Sequence, residues 1–199
     1  MEQRLASGLR ELRKLLETAS LELRTPTRFA LIGGLAVATW GVIRATQDID
    51  FLADSEPSPI GEPRLRDRLK NFLEERNSQA EWRVGDHDDP IPLLLRVELP
   101  STYGRIGADI LWAHRRWQQD GLRRAIAVEL EGEKIPVLHP EDLILMKLDA
   151  GGPQDLLDVQ RLLSSPGSQV NMRRLKSTAS RLRLTKVLER CLRELHREK

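Results

Sequence analysis

The sequence predicts an α+β fold: a strand-bearing core over residues 1–139, with a C-terminal helical region over residues 140–199 packed on it. Three observations carry this. Up to Leu138, stretches with helical periodicity alternate with short apolar or alternating stretches bounded by Gly and Pro. Beyond Pro140 only helical patterns remain. The 199 residues are 40% hydrophobic and 31% charged, enough apolar chain for one core and too much for a disordered segment.

The elements follow in order. Leu5, Leu9, Leu12, Leu15, Leu16 and Leu21 recur at helical spacing, with Arg10, Glu11, Arg13 and Lys14 on the other face, so residues 3–24 form an amphipathic helix. Thr25-Pro26-Thr27 ends it and leads into a strand closing at Ile32. A helix over 63–76 points Leu65, Leu69, Phe72 and Leu73 inward. Strands are expected over 80–84, 93–99 and 105–112, then a short helix near Trp117. A hairpin joins 125–130 to 134–138 through Glu131-Gly132-Glu133. Helices over 141–150, 154–163, 172–183 and 185–196 complete the chain, with joints at 166–168 and 182–184.

The chemistry concentrates in residues 30–54. Ala30 to Ile32 are apolar and run into Gly33-Gly34, a pair suited to a tight turn at the start of a helix. Such a turn presents unpaired backbone N–H groups, which suits a phosphate. Further on, Asp48 and Asp50 bracket Ile49. On a strand the two carboxylates share a face, roughly 7 Å apart at ~3.3 Å per residue, while Ile49 and Phe51 face the core. Neighbouring carboxylates repel unless a cation sits between them. Asp54 falls on the same face, about 13 Å further along at ~3.3 Å per residue, and is placed outside the site. A phosphate cradle followed by paired acids points to metal-assisted phosphate chemistry.

A third acid would complete such a site. Asp109 lies in an otherwise apolar strand, Gly107-Ala108-Asp109-Ile110-Leu111-Trp112, where a buried carboxylate needs a partner or a cation. It either joins Asp48 and Asp50 at a metal or pairs with an arginine in the core.

Gly33-Gly34, thirteen residues, Asp48-Ile49-Asp50 and a distant Asp109 together resemble the nucleotidyltransferase superfamily typified by DNA polymerase beta. The fuller string, Gly33 to Ala38 and Gly41 to Asp50, is similar to the branch of AbiEii-like toxins and related bacterial nucleotidyltransferases. His139 to Ile144, Lys147 to Ala150 and Gln154 to Val159 resemble that branch's downstream helical block, so the likeness spans residues 28–163. It implies a mixed β-sheet nucleotidyltransferase core flanked by helices, with the active site at one sheet edge. It also implies transfer of a nucleoside monophosphate from a nucleoside triphosphate to a hydroxyl of RNA (tRNA among the candidates) or protein. By the same resemblance Asp48 and Asp50 hold Mg2+, and Asp109 shares a metal and activates the acceptor. Gly33 and Gly34 offer N–H groups to the triphosphate, and Lys147 and Asp155 handle the nucleotide. Gln154 stands where such relatives often carry a basic residue. A cognate antitoxin is the further partner implied. The alternative is a non-enzymatic member that keeps the fold to bind a nucleotide or a partner.

The remaining residues admit plainer readings. Lys147 and Asp155 could form an ion pair between adjacent helices, and Arg44 either reaches a phosphate or is a solvated loop residue. Thr46 contacts phosphate or merely starts a strand. His87, Asp88 and Asp89 read as a polar turn before Pro90, and the four histidines lack zinc-like spacing. The C-terminal helices are rich in Arg and Lys without interleaved aromatics, which fits a solvated face or a guide for RNA. The single cysteine, Cys191, excludes an internal disulfide and sits on an apolar helical stripe. No signal-peptide pattern or ~20-residue apolar run is present, so a cytoplasmic protein with no membrane partner is expected.

Overall fold

The computed structural model describes residues 3–25, 27–42, 46, 48–55, 62–85, 92–102 and 104–197. The opening amphipathic pattern forms α1 (Gln3–Glu22), followed by β1 (Thr27–Leu31), α2 (Gly33–Thr39) and β2 (Ile49–Ser55). Next come α3 (Glu62–Glu74), β3 (Gln79–Val84), β4 (Leu93–Ser101), β5 (Gly104–Trp112) and α4 (Arg116–Arg124). The hairpin is β6 (Ile126–Leu130) and β7 (Glu133–Val137). Four helices follow: α5 (Pro140–Ala150), α6 (Pro153–Ser164), α7 (Met172–Arg181) and α8 (Thr185–Arg197).

The strands join in one mixed sheet of order β3-β4-β5-β2-β1-β7-β6. β1 runs antiparallel to β2, and β2 runs parallel to β5. Alternation gives the sheet two faces with different duties. On one, Ile49, Phe51, Ile106 and Ile110 are fully buried, and α1 lies so close that a Cβ on Gly8 would come within 2.8 Å of Ile49. α1 buries Leu5, Leu9, Leu12, Leu15 and Leu16 there. Leu21 departs from the expected inward stripe and is 78% exposed. Five positions beyond Leu16 is about 500° of rotation at ~3.6 residues per turn, which carries it off the buried face.

The other face bears Asp50, Leu52 and Asp54 of β2, and α2, α4 and α5 pack on that side. Trp40, just past α2, donates its indole N–H to the Leu138 carbonyl at 3.0 Å and stacks on His139, which ties the end of α2 to the β7–α5 junction. α5 begins with Pro140 and ends at Gly151 in the left-handed conformation, φ 69°, both matching their positional preferences. Its first-turn acids are buried and lock neighbouring helices. Glu141 accepts from the Asn171 N–H and from Arg174, and Asp142 accepts from Arg124 at 2.7 Å. Those ion pairs hold α4, α5 and α7 together.

α8 buries Leu188 and Cys191, and burial pushes the Cys191 thiol's pKa up. No helix among the described residues is long and apolar enough to cross a membrane.

Candidate active site

Register places the acids. Asp50 of β2 is the Cα partner of Asp109 of β5, and Asp109 is in turn the partner of Arg96 on β4. On the other side, the Ile32 N–H donates to the Asp50 carbonyl at 2.9 Å, setting the start of α2 beside the acid. Neighbouring strands lie about 4.8 Å apart, so Arg96, Asp109 and Asp50 form a row across the sheet on one face. Expectation put this row at an edge of the sheet. It lies instead on the two interior strands β5 and β2, with β4 beyond. Interior strands have both neighbours fixed, which holds the two carboxylates in register.

Gly33 stands directly over Asp50. Its φ is +64°, and a Cβ built there would sit 2.0 Å from Asp50 Oδ2. A glycine is therefore required twice, by the backbone conformation and by the carboxylate packed against it. Asp48 differs from expectation in being outside the ladder, because β2 starts at Ile49. Pairing of β2 with β5 begins at Ile49 opposite Ala108, and pairing with β1 only at Phe51 opposite Leu31, so Asp48 precedes both ladders. The Thr46 hydroxyl donates to the Asp48 carbonyl at 3.4 Å, and the Asp48 side chain is exposed.

Asp109 sits in a perturbing environment. Burial raises its pKa; the Arg96 guanidinium opposes that, the Asp48 charge adds to it and Arg83 opposes it. Arg96 Nη1 lies 3.5 Å from Asp109 Oδ2, while Asp109 Oδ1 is buried with no hydrogen-bond partner among the described residues. Of the two readings left open by the sequence, the arginine partner is present, and strand register also sets Asp109 beside Asp50.

α5 and α6 close the site. A cavity of about 250 Å³ is lined by Gly33, Asp50, Asp109, Lys147, Asp149 and Asp155, with Ile32, Leu94, Leu111, Gln118, Leu143, Met146 and Ala150 completing its wall. Lys147 Nζ lies 3.1 Å from Asp155 and 2.8 Å from Asp158, which is fully buried. The ion pair between adjacent helices is therefore present, and it borders the same cavity as the sheet acids. Gln154 donates to Asp158 at 3.2 Å, a neutral donor bonded to that acid. Asp149 is held by a two-point contact from Arg115 at 2.8 and 3.0 Å. Burial, with Arg115 beside it, pushes the His114 pKa down.

Gly33, Asp50, Asp109, Lys147 and Asp155 are brought together. Arg44 lies outside the described residues, as do His87, Asp88 and Asp89. Asp54 is apart from the site, two-point bonded to Arg28 at 3.0 and 3.2 Å and nearly fully buried. Asp54→Ala is expected to lower stability by roughly 1.5–3 kcal/mol, the worth of hydrogen bonds to a charged group, and to leave nucleotide affinity unchanged. Thermal melts and a nucleotide titration check both halves.

Sequence reasoning missed Asp158 and Arg96. The spacing Asp155-x-x-Asp158 puts both acids on one helical face, which was a usable signal. Arg96 gave none, because only the strand register sets it beside Asp109.

Among the described residues, no three acidic, histidine or cysteine side chains stand close enough to enclose a metal ion as placed. The donor set still fits a hard divalent cation. Carboxylate oxygens are its preferred ligands, two sit in register, and the orphaned Asp109 Oδ1 lacks the partner an ion would supply.

The chain is similar to several solved structures. An antigenic nucleotidyltransferase-like protein from Paracoccidioides brasiliensis is 17% identical, with 93% of this chain and 92% of that one aligned and a TM-score of 0.47. The antibiotic-resistance factor ANT(2'')-Ia is 16% identical over 97% and 95% of the two chains, TM-score 0.43. A lincomycin-bound lincosamide antibiotic adenylyltransferase is 16% identical over 78% and 96%, TM-score 0.44. No curated protein matches the sequence. Residues 15–198 match the family described as nucleotidyl transferase AbiEii toxin, type IV toxin–antitoxin system. The chain is a nucleotidyltransferase and belongs to the AbiEii toxin family.

Proposed function

We propose that this protein moves a nucleoside monophosphate from a nucleoside triphosphate to a hydroxyl of an RNA or protein acceptor, with magnesium, as the toxin of a toxin–antitoxin pair. The observation that carries the reading is the placement of in-register Asp50 and Asp109 on one wall of the cavity that Gly33 and Lys147 also line. In the reaction the acceptor oxygen bonds to the α-phosphorus, the bond to the bridging oxygen breaks and pyrophosphate leaves. Asp109 takes the hydroxyl proton, a task suited to a carboxylate whose burial strengthens it as a base. Gly33 and Gly34 turn backbone N–H groups toward the triphosphate, and Lys147 supplies a fixed positive charge beside it. Asp48, Asp50 and Asp109 would hold magnesium, which supplies charge neutralisation for the triphosphate and the leaving oxygen.

The C-terminal helices support an RNA acceptor. Arg173, Lys176, Arg181, Lys186, Arg190 and Arg193 of α7 and α8, and Arg183 of the joint between them, are exposed, against exposed Glu189. That surface attracts a polyanion.

Incubation with each α-labelled triphosphate, magnesium and either total RNA or cell lysate tests the reading. Label is expected in one macromolecular fraction with one preferred base, and to vanish when magnesium is chelated. An absence of transfer with all four triphosphates, together with no magnesium-dependent nucleotide binding, overturns it.

A further inference from the structure

The row of charges across the sheet does not end at the acids. Beyond Asp109, away from Gly33 and Lys147, comes Arg96 of β4, whose side chain is 40% exposed. Beneath its guanidinium the sheet is bare. Gly107 lies two residues before Asp109 on the same face, and a Cβ built there would find only Arg96 Nη2 within 4 Å, at 3.8 Å. Its φ is not in the left-handed region, so the backbone does not require glycine there. The absence of a side chain at Gly107 thus leaves an open trough beside the third carboxylate, with the Arg96 guanidinium reaching over it and Glu98, the strand partner of Gly107, on its β4 side.

The two sides of Asp109 are chemically distinct. One side carries Gly33, Asp50, Lys147 and Asp155, already read as the nucleotide side. The other carries a single arginine in contact with the base. Nearby acids there are Glu81, paired with Arg83 at 3.5 Å, and Glu98, which is exposed. A guanidinium 3.5 Å from a carboxylate, with one oxygen of that carboxylate left unbonded, is a weak and replaceable contact. Arginine is also the side chain best shaped to grip a phosphate at two points.

We propose that Arg96, over the bare backbone of Gly107, is the acceptor's anion subsite, binding the phosphate that neighbours the attacking hydroxyl. The inference rests on the nucleotidyl-transfer reading and narrows its acceptor to the phosphate-bearing sugar end of an RNA. On docking, Arg96 leaves Asp109 for the incoming phosphate, which frees the carboxylate to face the hydroxyl one sugar away. A hydroxyl on an uncharged protein segment would gain nothing from this arginine.

The test is fluorescence anisotropy with a short single-stranded RNA carrying a free 3′-hydroxyl, read beside the affinity for a fluorescent triphosphate. Arg96→Gln is expected to weaken RNA binding about tenfold and to flatten its salt dependence by roughly one phosphate contact, with triphosphate affinity unchanged. Arg96→Lys should restore part of the loss. Gly107→Val keeps every charge and suits a strand, so it should weaken RNA binding by filling the trough while the melting temperature holds. RNA affinity unchanged in both Arg96→Gln and Gly107→Val overturns the subsite. So does preferential labelling of protein rather than RNA at equal rates by wild type and Arg96→Gln. Neither result depends on turnover by the RNA oligomer. Failure of the transfer reading instead shows as absent label and absent triphosphate binding in the wild type.

Discussion

Asp50→Asn is expected to remove nucleotidyl transfer, by at least ~10³-fold, while the melting temperature stays within a few degrees of wild type. The substitution keeps the shape of the side chain and deletes only its charge. Asp50 lies in register with Asp109 and under Gly33, so it occupies the junction between the sheet acids and the turn that opens α2. A neutral amide there still packs against the Gly33 backbone but no longer contributes to the field that the proposed magnesium and triphosphate would need. The fold should not suffer, because removing one of two adjacent like charges relieves repulsion. Label transfer measured beside a thermal melt decides the matter. Wild-type turnover in a folded Asp50→Asn protein would refute the site.

The second large effect is on stability. Lys147→Met leaves Asp158 fully buried, with Gln154 donating at 3.2 Å and Arg161 no nearer than 4.0 Å. Removing one partner of a buried ion pair costs up to about 3–5 kcal/mol, because the remaining charge loses its nearest cation. For a chain of this size that is a drop in melting temperature on the order of 10 °C. The double variant Lys147→Met/Asp158→Asn removes the buried negative charge as well and should recover part of the loss. Transfer activity should stay absent in both, since Met cannot place a positive charge in the cavity. If the double variant recovers stability and activity together, Lys147 serves the fold alone.

Much of this organisation was legible in the chain. The apolar run ending at Gly33, the acids at 48 and 50 and the isolated Asp109 each stand out against their neighbours, since charge in an apolar stretch is costly without a reason. The helical block from Pro140 was legible too, because α6, α7 and α8 carry apolar residues at helical spacing and no strand-like alternation interrupts them. Leu21 shows the limit of that signal, because it continues the apolar composition of α1 but not the phase. Asp48 shows another. Alternation extends the strand through it, whereas the ladders to β5 and β1 begin only at Ile49 and Phe51.

The sequence by itself determined the element order, the chemistry available and the glycine on which the site turns. Local pattern suffices for these, since each depends on residues a few positions apart. Tertiary structure decided which groups meet. The parallel pairing of β2 with β5 sets Asp50 opposite Asp109 across some sixty residues of chain, and the antiparallel return of β4 sets Arg96 against the same acid. The packing of α5 on α6 turned Lys147 toward both Asp155 and Asp158. Strand register and helix packing are fixed by the whole core at once, and a slip of one residue would send each of these side chains to the opposite face.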